Sequence, residues 1–272
     1  MSKYLLAIAS CALVLAWTIC ARVDAQISYA RGQDVSPTFD GWEQNSDGSY
    51  TFYFGYFNRN SEEDFDVPIG ADNNFEPGGD RGQPTHFYPG RRWWIFTIVV
   101  PRDWPKDRRA VWTLTTHGKT NQAQGWLQRE WEVDKDLIWK NAGRDPSLMT
   151  SGVNETDLDH ENRPPSITGS PAQTIKVSDT LRLTATATDD GRPRPIADPA
   201  GRLQQGVRLS WMVYRGPGKV RFDPDVTSQR VYGKPATLET TVRFAAPGVY
   251  RLRAIASDGQ AFSIYDVDVT VK

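Results

Sequence analysis

Residues 265–272 read Tyr-Asp-Val-Asp-Val-Thr-Val-Lys, apolar and polar side chains in strict alternation. A period of two puts Tyr265, Val267, Val269 and Val271 on one side of an extended chain and Asp266, Asp268, Thr270 and Lys272 on the other. A helix would scatter these two sets, so the stretch reads as a strand with one face in a core and one in water. The same pattern recurs upstream. Residues 180–188 place Leu181, Leu183, Ala185 and Ala187 on one face, and residues 209–214 do so with Leu209, Trp211 and Val213. Further strands are expected at 219–222, 237–244 and 250–257. Roughly seven short strands in such a span predict two packed antiparallel sheets with Trp211 at the centre.

The first half is also strand-rich but less regular. Residues 50–57 are a run of aromatics, and Asp47-Gly48 just before them is a hairpin signal that pairs this strand with the stretch around Trp42. Strong strands follow at 93–100 and 111–116, with a turn at 118–125 and a further strand at 126–133. Residues 58–90 are dense in Gly, Pro, Asn and Asp and are expected to be nearly strand-free. A loop of that length inside a compact domain is usually functional or ordered by something that it binds. A short helix is expected at 136–140. The run Asn162-Arg163-Pro164-Pro165 has the character of a stiff linker.

The chain is therefore expected to be all-β with two β-sandwich domains. A cleaved signal peptide spans 1–25, a Trp-rich sandwich 26–140, a linker 141–163 and a second sandwich 164–272. The leader carries Lys3, an apolar run from Leu5 to Ile19 and a small-residue exit at Ala25. Both cysteines, Cys11 and Cys20, lie inside it, so the mature chain is expected to have no disulfide and no thiolate chemistry. An exported, cysteine-free chain fits a bacterial source and a periplasmic, extracellular or cell-surface location. The formal net charge of −1 gives no electrostatic reason to expect nucleic acid. The mature chain has no apolar run long enough for a membrane-spanning helix.

Eight of the 10 Trp lie between Trp42 and Trp139. Flat indole faces stack on sugars and on extended peptides, which makes Trp93, Trp94, Trp104, Trp112 and Trp126 a candidate ligand platform. The competing reading is that most of them fill the sandwich interior. Adjacent strand residues point to opposite faces, so one of Trp93 and Trp94 is expected in the core. The long loop offers Asp64, Asp66, Asp72, Asn73, Asn74 and Asp80, oxygen donors of the kind that Ca²⁺ takes, although no EF-hand spacing is present. His86, His117 and His160 are too scattered for a metal or catalytic reading, and no Gly-x-Ser-x-Gly elbow occurs. No cofactor other than a structural calcium is expected, and no enzyme activity.

The stretch Leu209-Ser-Trp-Met-Val-Tyr-Arg-Gly-Pro-Gly-Lys-Val-Arg-Phe222, the stretch Phe244-Ala-Ala-Pro-Gly-Val-Tyr250 and the Ala-Ser-Asp-Gly ending at Gly259 together resemble a PKD-type immunoglobulin-like module. The likeness covers residues 162–272. It departs from that family where the usual Trp-Asp-Phe-Gly-Asp-Gly is replaced by Trp211-Met-Val-Tyr-Arg-Gly-Pro-Gly218. The resemblance implies a spacer, adhesion or protein-contact module without catalysis. The function expected of the whole chain is non-enzymatic binding or structure in a bacterial envelope or extracellular assembly, through contacts with a protein partner. The alternative is a carbohydrate-binding accessory protein that holds a surface polysaccharide on exposed Trp residues.

Overall fold

The computed structural model describes residues 29–142, 158–194, 206–223, 227–228 and 230–272. The expected leader and most of the expected linker lie outside the described residues.

The N-terminal half contains β1 (Val35–Gln44), β2 (Tyr50–Asn58), β3 (Phe65–Asp66), β4 (Asn73–Glu76), β5 (His86–Phe87), β6 (Gly90–Val100), β7 (Ala110–Thr116) and β8 (Lys119–Gly125). Strands β1-β2-β6 form one antiparallel sheet and β4-β7-β8 a second, while β3 and β5 pair separately. The two three-stranded sheets face each other across an aromatic core. Alternation in β2 buries Phe52, Phe54 and Tyr56 completely. Phe54 sits at the centre, with ring centroids 5.3 Å from Phe39, 5.1 Å from Phe75 and 5.4 Å from Phe96.

Three local expectations change. Residues 119–125 are polar yet form β8, because the tight turn at His117-Gly118 brings them back onto β7. The expected strand at 126–133 is instead a 3₁₀ turn, Arg129–Trp131, joined to β1 by a single bridge between Trp42 and Glu132. The long loop contains three short strands, β3, β4 and β5. Helix α1 (Lys135–Ala142) contains the expected helical segment and buries Ile138 and Trp139.

The C-terminal half comprises β9 (Ser166–Gly169), β10 (Gln173–Ile175), β11 (Leu181–Thr188), β12 (Arg208–Arg215), β13 (Val220–Asp223), β14 (Ala236–Phe244), β15 (Gly248–Ser257) and β16 (Phe262–Val271). One sheet runs β9-β11-β14-β13 and the other β10-β16-β15-β12, with β10 parallel to β16. This is the immunoglobulin-like strand order, in which the first strand is divided between the two sheets. The inward residues are those that the period of two selects: Leu181, Leu183, Ala185 and Ala187 on β11, Trp211 on β12, and Val267, Val269 and Val271 on β16 are all buried.

Tyr250 near the start of β15 donates its hydroxyl to the Ala246 carbonyl at 2.8 Å, the corner that ties down this edge in many immunoglobulin-like sandwiches. Tyr250→Phe removes that bond and leaves the ring in place. It is expected to cost about 1 kcal/mol in a urea melt. A variant as stable as the parent would show that the corner contributes nothing here.

Candidate interaction site at the junction of the two sandwiches

The apolar cluster of the first sandwich does not end at its own sheets. Met212, Tyr214, Ile255 and Ala261, from the outward face and end of the β12/β15/β16 sheet, belong to the same buried cluster. The contact is polar as well. The Thr85 N–H donates to the Tyr214 carbonyl at 3.1 Å, and the Gly216 N–H donates to Thr85 Oγ1 at 3.0 Å. The Val213 N–H donates to the Tyr88 hydroxyl at 2.9 Å, and burial pushes that phenol up to about 12. Arg253, almost fully buried, stacks on Tyr214 at 3.6 Å, pairs with Asp266 and donates to the Ile95 carbonyl at 2.7 Å. Segment 82–88 of the long loop thus covers the edge strand β12, satisfying main-chain groups that an open sheet edge exposes. The chain's own second sandwich holds this end of the loop, while β4 is held by β7 in the first.

The candidate calcium donors are distributed among separate tasks. Asp66 and Asp64 flank the buried His86, at 2.7 Å and 3.4 Å. Asn73 is fully buried, donating to the Val67 and Pro84 carbonyls and accepting from Trp112 Nε1 at 2.9 Å. Asp80 forms a two-toothed pair with Arg215, whose hydrogen bonds hold its carboxyl below the usual range. The side chains of Asp72 and Asn74 stand apart from these contacts, exposed and half-buried respectively. Among the described residues no group of three or more His, Cys, Asp or Glu side chains is arranged to hold a metal ion.

The aromatic candidates do not assemble into an open platform. Trp94, Trp104 and Trp112 are buried. Trp93 and Trp126 are half-buried, with the guanidinium of Arg91 stacked on the first at 3.8 Å and that of Arg109 on the second at 4.0 Å. Of Trp93 and Trp94 one is in the core as expected, Trp94, but simple alternation is not what puts it there. The β2/β6 register jumps from Phe54↔Phe96 to Tyr56↔Arg92, so Trp93, Trp94 and Ile95 all lie opposite Gly55. Trp94 adopts a left-handed backbone with φ 52°, and the two indoles lie 5.6 Å apart. A bulge breaks the alternation on which the sequence expectation rested.

The bulge is held by Asp40. Its Oδ2 accepts from the Trp94 N–H at 2.9 Å, and its Oδ1 accepts from Arg91 at 2.5 Å and from Thr38 at 2.9 Å. Gly55 is required opposite it. A methyl group there would collide with the Arg92 carbonyl oxygen and the Asp40 carboxylate.

A groove of about 410 Å³ opens where the sandwiches meet. Pro68, Ile69 and Thr85 form one wall, while Pro217, Pro247 and Val249 form the other. Arg215 and Arg251 lie at its rim, paired with Asp80 and Asp268. Val249 is 66% exposed, the most open of the large apolar side chains among the described residues. Sequence reading passed over this groove because its walls come from turns that are far apart along the chain.

No family model matches this chain, and no curated protein does. Among solved structures, the D00-D0 domain of intimin aligns over 88% of this chain and all of its own, at 11% identity and a TM-score of 0.27. Domains 4 and 5 of the S-layer protein SbsC align over 88% and 98%, at 12% identity and a TM-score of 0.26. A conjugative transposon lipoprotein from Bacteroides eggerthii aligns over 39% of this chain and 96% of its own, at 11% identity and a TM-score of 0.27. At these values the likenesses carry no functional argument. The immunoglobulin-like assignment rests on the strand order and the tyrosine corner. Among the described residues no helix is long and apolar enough to cross a membrane.

Proposed function

We propose that this chain is an exported, non-enzymatic binding protein whose two sandwiches act as one unit, holding an extended protein segment in the groove between them. The second sandwich serves as a PKD-like docking module, and the setting is a bacterial envelope or extracellular assembly. The observation that carries this reading is the groove itself, with apolar walls contributed by both sandwiches and a continuous buried cluster behind it. A preformed concave surface loses little entropy on binding, and proline-lined walls suit an extended backbone.

The test is a screen of the leaderless chain, residues 26–272, against arrays of extended peptides and a glycan panel. Peptides are expected to bind, and Val249→Glu is expected to weaken the best of them at least tenfold without changing the melting temperature. Binding of a glycan instead, lost on Trp93→Ala, would replace this reading with the carbohydrate one. Peptide binding indifferent to Val249→Glu would remove the groove from it.

A further inference from the structure

The turn from Asp258 to Ala261 joins β15 to β16 and also anchors the segment that leads into the second sandwich. Gln260 grips that segment at both ends of its amide: its Oε1 accepts from the Asp159 N–H at 3.0 Å, and its Nε2 donates to the Asp159 carbonyl at 2.9 Å. Three residues on, the Asn162 amide donates to Asp258 Oδ2 at 3.0 Å. Asp258 is wholly buried, and its Oδ1 accepts from the Gln260 and Ala261 N–H groups, both at 2.7 Å. Leu158 and Phe262 flank this knot and pack against the cluster shared by the two sandwiches.

The surroundings suit a carboxyl that gains and loses a proton. Asp189, at the end of β11, adds a like charge, and one of its own carboxylate oxygens is buried without a hydrogen-bond partner. Arg230 is the cation that opposes this, and burial and neighbouring Arg208 lower its own pKa. Arg192 is committed to Asp159 and Glu161. Asn162 is 4% exposed, and its Oδ1 has no partner. Turning that amide over would present Oδ1 to Asp258, so a proton on Asp258 would find an acceptor where the ionised form finds a donor.

We propose that the Asp258–Asn162 contact is a proton-operated clamp, which grips the 158–162 segment in acid and slackens as the surroundings approach neutrality. Burial, aided by Asp189, pushes the Asp258 carboxyl up to about 7. In the unfolded or locally opened chain it returns to about 4. Stability from this group is therefore fully present below about pH 4 and is lost progressively as pH rises from about 4 to about 7. Over that window one proton is linked to closure, so the closing equilibrium falls by up to about tenfold per pH unit. Carboxylates held low by arginine, such as Asp80, Asp159 and Asp268, titrate below this window and act in the opposite sense.

The experiment is urea unfolding of residues 26–272 at pH 5, 6, 7 and 8, with hydrogen exchange of the Asn162, Gln260 and Ala261 amides corrected for intrinsic rates. The parent is expected to lose stability from pH 5 to 7, to level off above 7, and to show the loss at those amides. Asp258→Asn is expected to flatten the exchange profile at those amides and to reduce the global slope, leaving the part that Asp40 and Asp189, both also raised by burial, contribute. Asp189→Asn guards against a misfolded first variant: by removing the like charge it is expected to move the plateau to lower pH. Exchange at those three amides that does not change with pH in the parent, or that keeps its parental pH dependence in Asp258→Asn, would overturn the clamp.

Discussion

Replacing Arg91 with methionine is expected to cost the protein about 3–5 kcal/mol, the usual penalty for stranding a buried charge. The Asp40 side chain is 1% exposed and Arg91 is its cation. The guanidinium also donates to the Tyr56 and Arg92 carbonyls at 3.0 and 2.6 Å, and it stacks on Trp93. A methionine keeps some of the apolar stem contact and none of these bonds. Burial pushes the Asp40 carboxyl up even beside Arg91. Without the arginine its charged form is harder still to hold, so stability falls as pH rises. The deficit relative to the parent is accordingly expected to be larger at pH 7 than at pH 5. Adding Asp40→Asn should recover much of the loss, since the bulge N–H of Trp94 keeps an acceptor and no charge is left buried. Denaturant melts of the parent, the single variants and the double variant close the cycle. A loss under about 1 kcal/mol for Arg91→Met would mean that the pair is solvated and the bulge is held by packing alone.

The two halves of the chain differ in how much of this was legible beforehand. In β11, β12 and β16 each side chain has one neighbour set, core or water, and alternation records that choice residue by residue. The strand positions and the burial of Trp211 could therefore be read directly. The first sandwich defeats the same reasoning at identifiable places. At Trp93 and Trp94 a bulge resets the pleat, and the signal that could have shown it is Gly55 on the opposite strand, a glycine amid aromatics. In residues 58–90 the short strands β4 and β5 are fixed by contacts with β7 and with the second sandwich. Local sequence does not carry that information. Asp64, Asp66 and Asp80 pair with residues far along the chain, His86 and Arg215, so their crowding in sequence does not translate into one assembled cluster. The groove was illegible for the same reason, because its walls are brought together only by the docking of the two halves.

Asn73 is the polar side chain that ties the long loop to the first sandwich, and Asn73→Leu is expected to be the most damaging change in the loop. The amide makes three bonds in a fully buried setting, to Val67, to Pro84 and from Trp112. Leucine keeps the branched shape at a somewhat larger volume and leaves two carbonyls and an indole N–H unsatisfied, at about 1–3 kcal/mol each, for a total on the order of 4 kcal/mol or more. Trp112→Phe removes one donor and part of the ring, leaves the other two bonds intact, and is expected to cost about 1–3 kcal/mol. The order of the two separates the roles. If Asn73 is chiefly a tie for the loop, its loss should exceed that of the indole despite the far smaller side chain. It should also raise hydrogen exchange between Val67 and Thr85 before the aromatic core opens. Because Pro68, Ile69 and Thr85 form one wall of the groove, partial loosening of this loop should abolish the proposed peptide binding at denaturant concentrations where the second sandwich is still folded. Equal losses for the two variants, with exchange rising uniformly across β2, β6 and β7, would instead make Asn73 an ordinary core residue and the groove wall a passive consequence of the fold.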